Sequence, residues 1–257
     1  MVHDVRASHD LYRQAAQMDI HPRLRPGVLC YRGHGGPPAV TELRPDAVTL
    51  RLGFGRTGER EFTSFVAGLS THARAVPRPA ESWALDVLLE PWAAFALFGT
   101  AMHKITDSVV APGPVLGTRF QALHGALATA TSWPERFAVL DRTLSGWSTT
   151  GQACSPELVR AWLTVRRTGG TVPIQHLAQQ TGWCWRRLDY RFRQQIGLAP
   201  KTAARVVRLR RALVLLARGG GLADIAARCG FSDQAHLSRE VKTMTGRTPG
   251  QLVAAYG

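Results

Sequence analysis

The segment "CWRRLDYRFRQQI", residues 184–196, carries hydrogen-bond donors on one side of a helical repeat. Its apolar residues Leu188, Phe192 and Ile196 recur at every fourth position and predict a buried stripe. At about 100° per residue, the side chains on the opposite face and its flank are those of Arg186, Arg187, Tyr190 and Arg193. Guanidinium groups placed in this way can donate paired hydrogen bonds to guanine or contact phosphate oxygens.

The segment "SDQAHLSREVKTMT", residues 232–245, repeats this pattern with other polar groups. Leu237, Val241 and Met244 predict its buried stripe. The side chains that project away from the stripe, or lie beside it near the N-terminus, are those of Gln234, Ala235, His236, Ser238, Arg239 and Lys242. Because glutamine suits adenine and arginine suits guanine, both segments are typical of helices that read base edges in a major groove. The alternative interpretation is a plain pair of amphipathic helices with solvated faces.

A short apolar helix and a turn with a glycine precede each of these segments. "PIQHLAQQ" and Gly182 precede the first segment, and "LADIAARC" and Gly230 precede the second. After Gly230, we expect Phe231 to anchor the turn in the core and Ser232 to cap the new helix. The chain therefore predicts two helix-turn-helix units.

A long helix is predicted between the two units, from Pro200 to Arg218. Its 19 residues span roughly 28 Å at about 1.5 Å per residue, and successive major grooves on one face of DNA lie about 34 Å apart. One chain can therefore place its two helices in adjacent grooves, with some bending of the DNA.

Positive charge is concentrated in the same half of the chain. Residues 151–257 hold 17 Lys and Arg against 5 Asp and Glu, a net +12, whereas residues 1–150 hold 15 against 13, a net +2. This asymmetry favours a polyanion partner for the second half, and double-stranded DNA is the partner that we predict. A solvated surface in an arginine-rich protein is the alternative explanation.

The first half has the pattern of short strands followed by helices. Apolar and β-branched runs between Gly/Pro turns such as "GFGRTGE" predict strands at Val28–Tyr31, Val40–Leu43, Val48–Leu52, Phe62–Ala67 and Trp83–Leu89. Helices are predicted in "PWAAFALF", "TRFQALHGALATA" and "SWPERFAVLDRTLSGW", the last with a capping box between Ser132 and Glu135. The predicted fold is an α+β N-terminal domain followed by an all-α C-terminal domain with two helix-turn-helix units joined by a long helix.

The sequence lacks the motifs and spacings that are typical of several other classes of protein. Cys30, Cys154, Cys184 and Cys229 are far apart, without metal-ligand spacing, so we expect neither a metal site nor a disulfide framework. The sequence has no Walker loop, no G-x-S-x-G and no H-E-x-x-H, so we expect no enzyme activity and no cofactor. Since no apolar leader and no run of about 18 apolar residues occurs, we expect a cytoplasmic protein without membrane contact.

Five pieces of the second half form one ordered series: "LAQQTG", "RFRQQIGLAP", "RLRRALVLLARG", "LADIAARCGFSDQAHLSREVK" and "TGRTPGQL". With them, residues 156–253 resemble the DNA-binding domain of transcription regulators of the AraC/XylS type. The resemblance implies seven helices, two helix-turn-helix units and sequence-specific promoter binding. By position, the base contacts that it implies fall on Arg186, Asp189, Tyr190, Gln234, Ala235, His236, Ser238 and Arg239.

The chain departs from that family around its first recognition segment. "WCW" stands where members often have Ser or Thr, and Tyr190 stands where they often have Arg. We expect Trp183 and Trp185 to pack in the core or between helices. We expect Cys184 and Cys229 to be small buried fillers.

A polar stretch rich in Gly, Ser and Thr predicts a linker at residues 147–155. The resemblance then implies an N-terminal effector-binding or dimerisation domain at residues 1–146 and the DNA-binding domain at 156–257. It also implies RNA polymerase, a small-molecule effector and a second copy of the chain as partners beside promoter DNA. The alternative is a small-molecule enzyme or ligand carrier in the first half, with the DNA-binding half as its tether.

Overall fold

Strands dominate the first half of the chain and helices dominate the second. The computed structural model describes residues 20–35, 39–57, 60–61, 64–78 and 83–256. Within these residues the first half forms sheets with helices packed on them, and every regular element between Pro156 and Tyr256 is a helix. This is the predicted α+β domain followed by an all-α domain.

Nine strands run through the described part of the first half. They are β1 (Val28–His34), β2 (Ala39–Leu43), β3 (Val48–Phe54), β4 (Arg56–Thr57), β5 (Arg60–Glu61), β6 (Phe65–Ala67), β7 (Arg74–Arg78), β8 (Trp83–Leu89) and β9 (Val109–Val110). Five of them form the main sheet in the order β1-β8-β3-β6-β9, in which every neighbouring pair is antiparallel. Two short antiparallel ladders join β2 to β7 and β4 to β5.

The five strands predicted from the sequence are confirmed as β1, β2, β3, β6 and β8, although Phe62 and Thr63 lie outside the described residues. The patterns did not predict β7 or β9, and the predicted turn "GFGRTGE" contains the end of β3 and all of β4. Pro77 argues against a strand at β7 in the sequence, because proline has no N–H to donate to a neighbour. The structure pairs β7 with β2 in a two-stranded ladder, where a missing N–H is tolerated. With two residues, β9 is too short to show alternation.

An ion pair inside the main sheet links β3 to β8. Leu50 and Leu52 of β3 lie in the core with the helices, whereas Arg51 lies on the other face, opposite Asp86. Arg51 donates from Nε and Nη2 to the two oxygens of Asp86 at 2.6 and 2.7 Å, and His34 Nε2 lies 2.9 Å from the same carboxylate. Burial pushes the pKa of Asp86 up, but the hydrogen bonds and charge of Arg51 outweigh burial and hold the pKa well below its ordinary value.

Four helices pack on one face of this sheet. They are α1 (Pro91–Phe98), α2 (Gly113–Leu116), α3 (Thr118–Thr129) and α4 (Trp133–Thr150). Phe95, Leu123 and Phe137 share a core with the inward residues of β3 and β8. At the start of α4 the predicted capping box is confirmed, since Ser132 and Glu135 each accept a hydrogen bond from the other's backbone N–H.

Seven helices follow, the number that the resemblance implies. They are α5 (Pro156–Arg167), α6 (Ile174–Thr181), α7 (Trp185–Gln195), α8 (Pro200–Ala217), α9 (Leu222–Cys229), α10 (Gln234–Thr245) and α11 (Pro249–Tyr256). Trp162, Phe192 and Leu237 are fully buried in their common core. The predicted linker at 147–155 overlaps α4, which continues to Thr150, and the boundaries at 1–146 and 156–257 stay a prediction.

The two halves meet around Glu90, at the junction of β8 and α1. Its carboxylate accepts a hydrogen bond from Trp162 Nε1 of α5 at 2.6 Å, and Arg166 of the same helix contacts both Glu90 and Asp46. Asp46 and Glu90 are only 3% and 5% exposed. Burial raises the pKa of Glu90, whereas at Asp46 the charges of Arg44 and Arg166 outweigh burial and lower the pKa. Charged groups that water hardly reaches therefore bind α5 to the first half.

Loops of the first half also reach the C-terminal ends of α7 and α10. The Ala73 N–H donates to Met244 O in the last turn of α10, at 2.7 Å. The Thr106 hydroxyl donates to Gly197 O just beyond α7, at 2.8 Å. A Cβ on Gly197 would lie 2.7 Å from Thr106 Oγ1, so the two segments are in close contact. The first half thus touches both helices at the end opposite their exposed N-terminal turns.

Candidate nucleic-acid interface

Both helix-turn-helix turns have the same backbone geometry. Gly182 after α6 and Gly230 after α9 lie in the left-handed region, with φ of 67° and 71°. The N–H of the next residue bonds to the carbonyl five residues back, at 3.3 Å in the first unit and 2.9 Å in the second. Glycine adopts this conformation without the strain that a Cβ causes. The two units are therefore built on one type of turn, as the sequence predicts.

The predicted polar face of α7 is exposed. Leu188 and Phe192 are completely buried, and so is Ile196 immediately after the helix. Tyr190 is 62% exposed, more than any other large apolar side chain in the described residues. The other predicted positions that are exposed on this helix are Arg186, Arg187 and Arg193.

Two of the three predicted arginines of α7 have partners on the protein. Asp189 forms an ion pair with Arg193 one turn later, with 2.8 Å between Oδ2 and Nε. Arg187 lies over the ring of Trp183, 4.9 Å from its centroid. Both contacts are local to the helix and the turn before it, so they orient the two guanidinium groups without burying them.

The cap of α10 differs by one residue from the prediction. Asp233, not Ser232, is the N-cap, and its carboxylate accepts from the His236 N–H at 2.6 Å. This hydrogen bond, with one from Ser232, lowers the pKa of Asp233. Ser232 was the wrong choice because its hydroxyl donates to Asp233 instead of accepting from the helix.

The polar face of α10 is exposed at four of its six predicted positions. Leu237, Val241 and Met244 form the buried stripe. The ring of His236 turns back toward the cap, edge-on to Phe231 with 5.3 Å between ring centroids. The exposed positions are Gln234, Ala235, Arg239 and Lys242, and the half-buried ones are His236 and Ser238.

The ring of His236 is fixed by contacts through one of its nitrogens. Its Nδ1 lies 3.1 Å from the Ser232 hydroxyl and 3.4 Å from the Ser232 N–H. Nε2 is the ring nitrogen that these contacts leave for a ligand.

α8 joins the two units and is itself attached to α10. It has 18 residues, which span roughly 27 Å, and it ends one residue before the predicted Arg218. Arg205 of α8 forms an ion pair with Glu240 of α10. Arg208, one turn on, lies over the ring of Phe231, 5.0 Å from the centroid. Side chains from two successive turns of α8 therefore contact α10 and the turn before it.

Two sequence expectations at the start of α7 were wrong. Trp185 is 50% exposed, although we expected it to pack in the core or between helices, and Cys184 is exposed instead of buried. They occupy the first helical position and the N-cap, where no preceding turn of the helix covers a side chain. Trp183 packs partly against the core and Cys229 is buried, as expected. The signal that was available is position, since the first turn of a recognition helix projects from the protein.

Two further properties of the described residues bear on the site. No three His, Cys, Asp or Glu side chains among them lie close enough together to hold a metal ion. No helix in the described ranges is both long enough and apolar enough to cross a membrane.

A family model for a helix-turn-helix domain matches residues 177–255. The match begins within α6 and ends within α11, so it covers both turns, α7, α8 and α10. A comparison of the sequence with the curated proteins finds no match.

Solved structures of ToxT from Vibrio cholerae are similar to this chain over most of its length. The apo form of a ToxT variant has 9% identity and a TM-score of 0.45, over 88% of this chain and 98% of that chain. A 1.65 Å structure of ToxT has 8% identity and a TM-score of 0.47 over the same shares. Wild-type ToxT bound to an unsaturated fatty acid has 9% identity and a TM-score of 0.45, over 92% of this chain and 96% of that chain.

Proposed function

We propose that this chain, a transcription regulator with an AraC-type helix-turn-helix domain at residues 177–255, places α7 and α10 in adjacent major grooves of promoter DNA. The observation that carries the proposal is the matched presentation of the two helices. Each follows a left-handed glycine, buries an apolar stripe and exposes hydrogen-bonding side chains. α8 connects them over roughly 27 Å, which suits grooves about 34 Å apart when the DNA bends.

Exposure and partners divide the polar side chains into two groups. We assign phosphate contacts to Arg193 and Lys242, which are exposed and lie toward the C-terminal parts of their helices. Asp189 orients Arg193 through their ion pair. The base contacts are assigned to Arg186, Arg187, Tyr190, Gln234, Ala235, His236, Ser238 and Arg239.

Replacement of Arg239 by alanine tests this assignment. Fluorescence anisotropy with a duplex selected from a random pool by the full chain is expected to show a loss of about 1–3 kcal/mol in discrimination at one base pair. Arg142→Ala is the matched control, because Arg142 is an exposed arginine of α4 in the first half. If Arg239→Ala discriminates as the parent chain does, α10 does not read bases through this residue.

The charge of the second half predicts how binding depends on salt. Residues 151–257 carry a net +12, and each phosphate that they neutralise releases counterions from the DNA. Affinity for the selected duplex is therefore expected to fall steeply as salt rises, by a slope of about one in the double-logarithmic plot for each phosphate contact. A flat salt dependence would contradict an interface made by the basic half.

We further propose that the first half controls the two recognition helices. Its loops hydrogen-bond to their C-terminal ends at Met244 and Gly197, and Glu90 and Asp46 bind α5. A small-molecule effector or a second copy of the chain that acts on the first half would reach the DNA-binding helices through these contacts. RNA polymerase is the further partner expected of a regulator at a promoter, and the cytoplasm is its proposed place of action. No observation on the described residues favours the alternative of an enzyme or ligand carrier.

A further inference from the structure

The two recognition helices are not equivalent at one central position. Superimposing their buried stripes, Leu188 on Leu237 and Phe192 on Val241, shifts the numbering by 49 residues. Arg193 then coincides with Lys242, so both helices carry a cation at that place. Tyr190 coincides with Arg239, to which the proposed function assigns a base contact in the second unit, and guanine is the base that arginine suits best.

The surroundings of Tyr190 place its ring on the outward face of α7. At about 100° per residue it projects roughly 160° away from Leu188. Arg186, one turn earlier, lies about 40° from it around the helix, and both side chains are exposed. No described residue hydrogen-bonds to the Tyr190 hydroxyl or stacks on its ring, so the ring is available to a ligand.

The ring of a tyrosine is largely apolar, and a major groove offers it one apolar group on the base edges, the methyl of thymine. Guanine, cytosine and adenine present hydrogen-bonding atoms at the groove, whereas thymine also presents its 5-methyl group. Burying the apolar area of the ring against that methyl is favoured by the hydrophobic effect, whereas an arginine binds guanine through hydrogen bonds. Because the ring is 62% exposed in the free protein, the contact would remove a large apolar surface from water.

We infer that the two recognition helices, α7 and α10, recognise different bases at equivalent positions. Tyr190 of α7 contacts a thymine methyl at the position where Arg239 of α10 contacts guanine. The inference rests on the proposed function and names the base class read by its first helix. The half-sites in the DNA are therefore unlike, and the thymine lies in the half-site bound by α7.

Replacing thymine by uracil in the selected duplex removes the methyl group and nothing else. The full chain is expected to bind the substituted first half-site about fourfold more weakly per methyl, the effect of one buried methyl-sized group. Tyr190→Ala should bind the thymine and uracil duplexes equally well. Tyr190→Phe should retain the fourfold ratio, because the methyl contact does not use the hydroxyl.

Two controls make the result specific to Tyr190. Trp185→Ala removes another exposed aromatic of α7 that projects about 140° away from Tyr190 around the helix, so it should keep the thymine-to-uracil ratio whatever it does to affinity. The other half-site is identified as the one in which Arg239→Ala relaxes selectivity. Replacing thymine by uracil in that half-site should leave the effect of Tyr190→Ala on affinity unchanged. Tyr190→Arg should move the selected base at this position from thymine to guanine.

The outcomes separate this inference from the function on which it rests. If the chain enriches no sequence from the random pool, the proposed function fails. If it enriches a sequence but Tyr190→Ala retains the thymine-to-uracil ratio, or if Tyr190→Phe loses it, the methyl contact is refuted while the function stands.

Discussion

Replacement of Arg166 by alanine should weaken the junction of the two halves. It should lower the free energy of unfolding more than the loss of any single ion pair on the protein surface. Arg166 contacts Asp46 and Glu90, both almost fully buried. Removing one partner of a buried ion pair costs about 3–5 kcal/mol, because the remaining charge stays buried without compensation. Asp46 keeps its bidentate contact with Arg44, so we expect the lower end of that range, about 3 kcal/mol.

Urea unfolding of the full chain, followed by tryptophan fluorescence and circular dichroism, measures this loss. Arg160→Ala is the matched control, because Arg160 lies on the same helix but forms an exposed i,i+3 pair with Glu157 at 3.7 Å. Exposed pairs of this kind contribute little, so the control should unfold close to the parent midpoint. Equal midpoints for Arg166→Ala and Arg160→Ala would refute the reasoning.

A second substitution at Glu90 tests the cause of the loss. Burial raises the pKa of Glu90, so its ionised form is the costly one once Arg166 is gone. Glu90→Gln removes that charge and keeps an oxygen for the Trp162 N–H. In the Arg166→Ala background it is therefore expected to recover about 1 kcal/mol or more. No recovery would show that lost packing, and not an uncompensated charge, accounts for the effect of Arg166→Ala.

Two further predictions concern stability. Gly182→Ala should lower the free energy of unfolding in urea by about 1 kcal/mol, because φ is 67° but a Cβ would meet nothing within 4 Å. Gly170→Ala should lower it several times more, because its Cβ would lie 2.0 Å from Ala204 O. Similar losses for the two variants would contradict this. The pKa of Asp86 is lowered in the folded state, so its stabilisation is complete above the unfolded pKa of about 3.9 and is lost as pH falls below it. The free energy of unfolding should thus drop between pH 5 and pH 3, by up to about 1.4 kcal/mol per pH unit for each proton taken up, and a flat profile would refute this role for Asp86.

The DNA-binding half was predictable because its determinants are close together in sequence. Gly182 and Gly230 mark turns by their own conformational freedom, and the stripe that includes Leu188 needs only a four-residue repeat. The errors there concern single positions. Asp233 and Ser232 are both good caps, and the choice depends on which of them is extended. Trp185 was misplaced because its size suggested burial, while its place at the helix start leaves it uncovered.

The contacts between the halves could not be predicted from local pattern. Glu90 and Trp162 are 72 residues apart in the chain, and Arg51 and Asp86 are 35 apart. An isolated charged residue in an apolar run looks the same whether it is solvated or paired inside a sheet. Only the strand order, which brings β3 beside β8, makes a pair of Arg51 and Asp86.

The continuity of α8 has a consequence for how strongly the chain holds its target. In the proposed complex, once α7 has bound one half-site, α10 is held near the next at an effective concentration that the connecting helix sets. Such a gain is lost when a connector cannot span the two sites, and α8 is a single helix tied to α10 by Arg205 and Glu240. Two correct half-sites at another separation would be bound only one at a time. The length of α8 is thus part of the information by which the chain distinguishes one stretch of DNA from another.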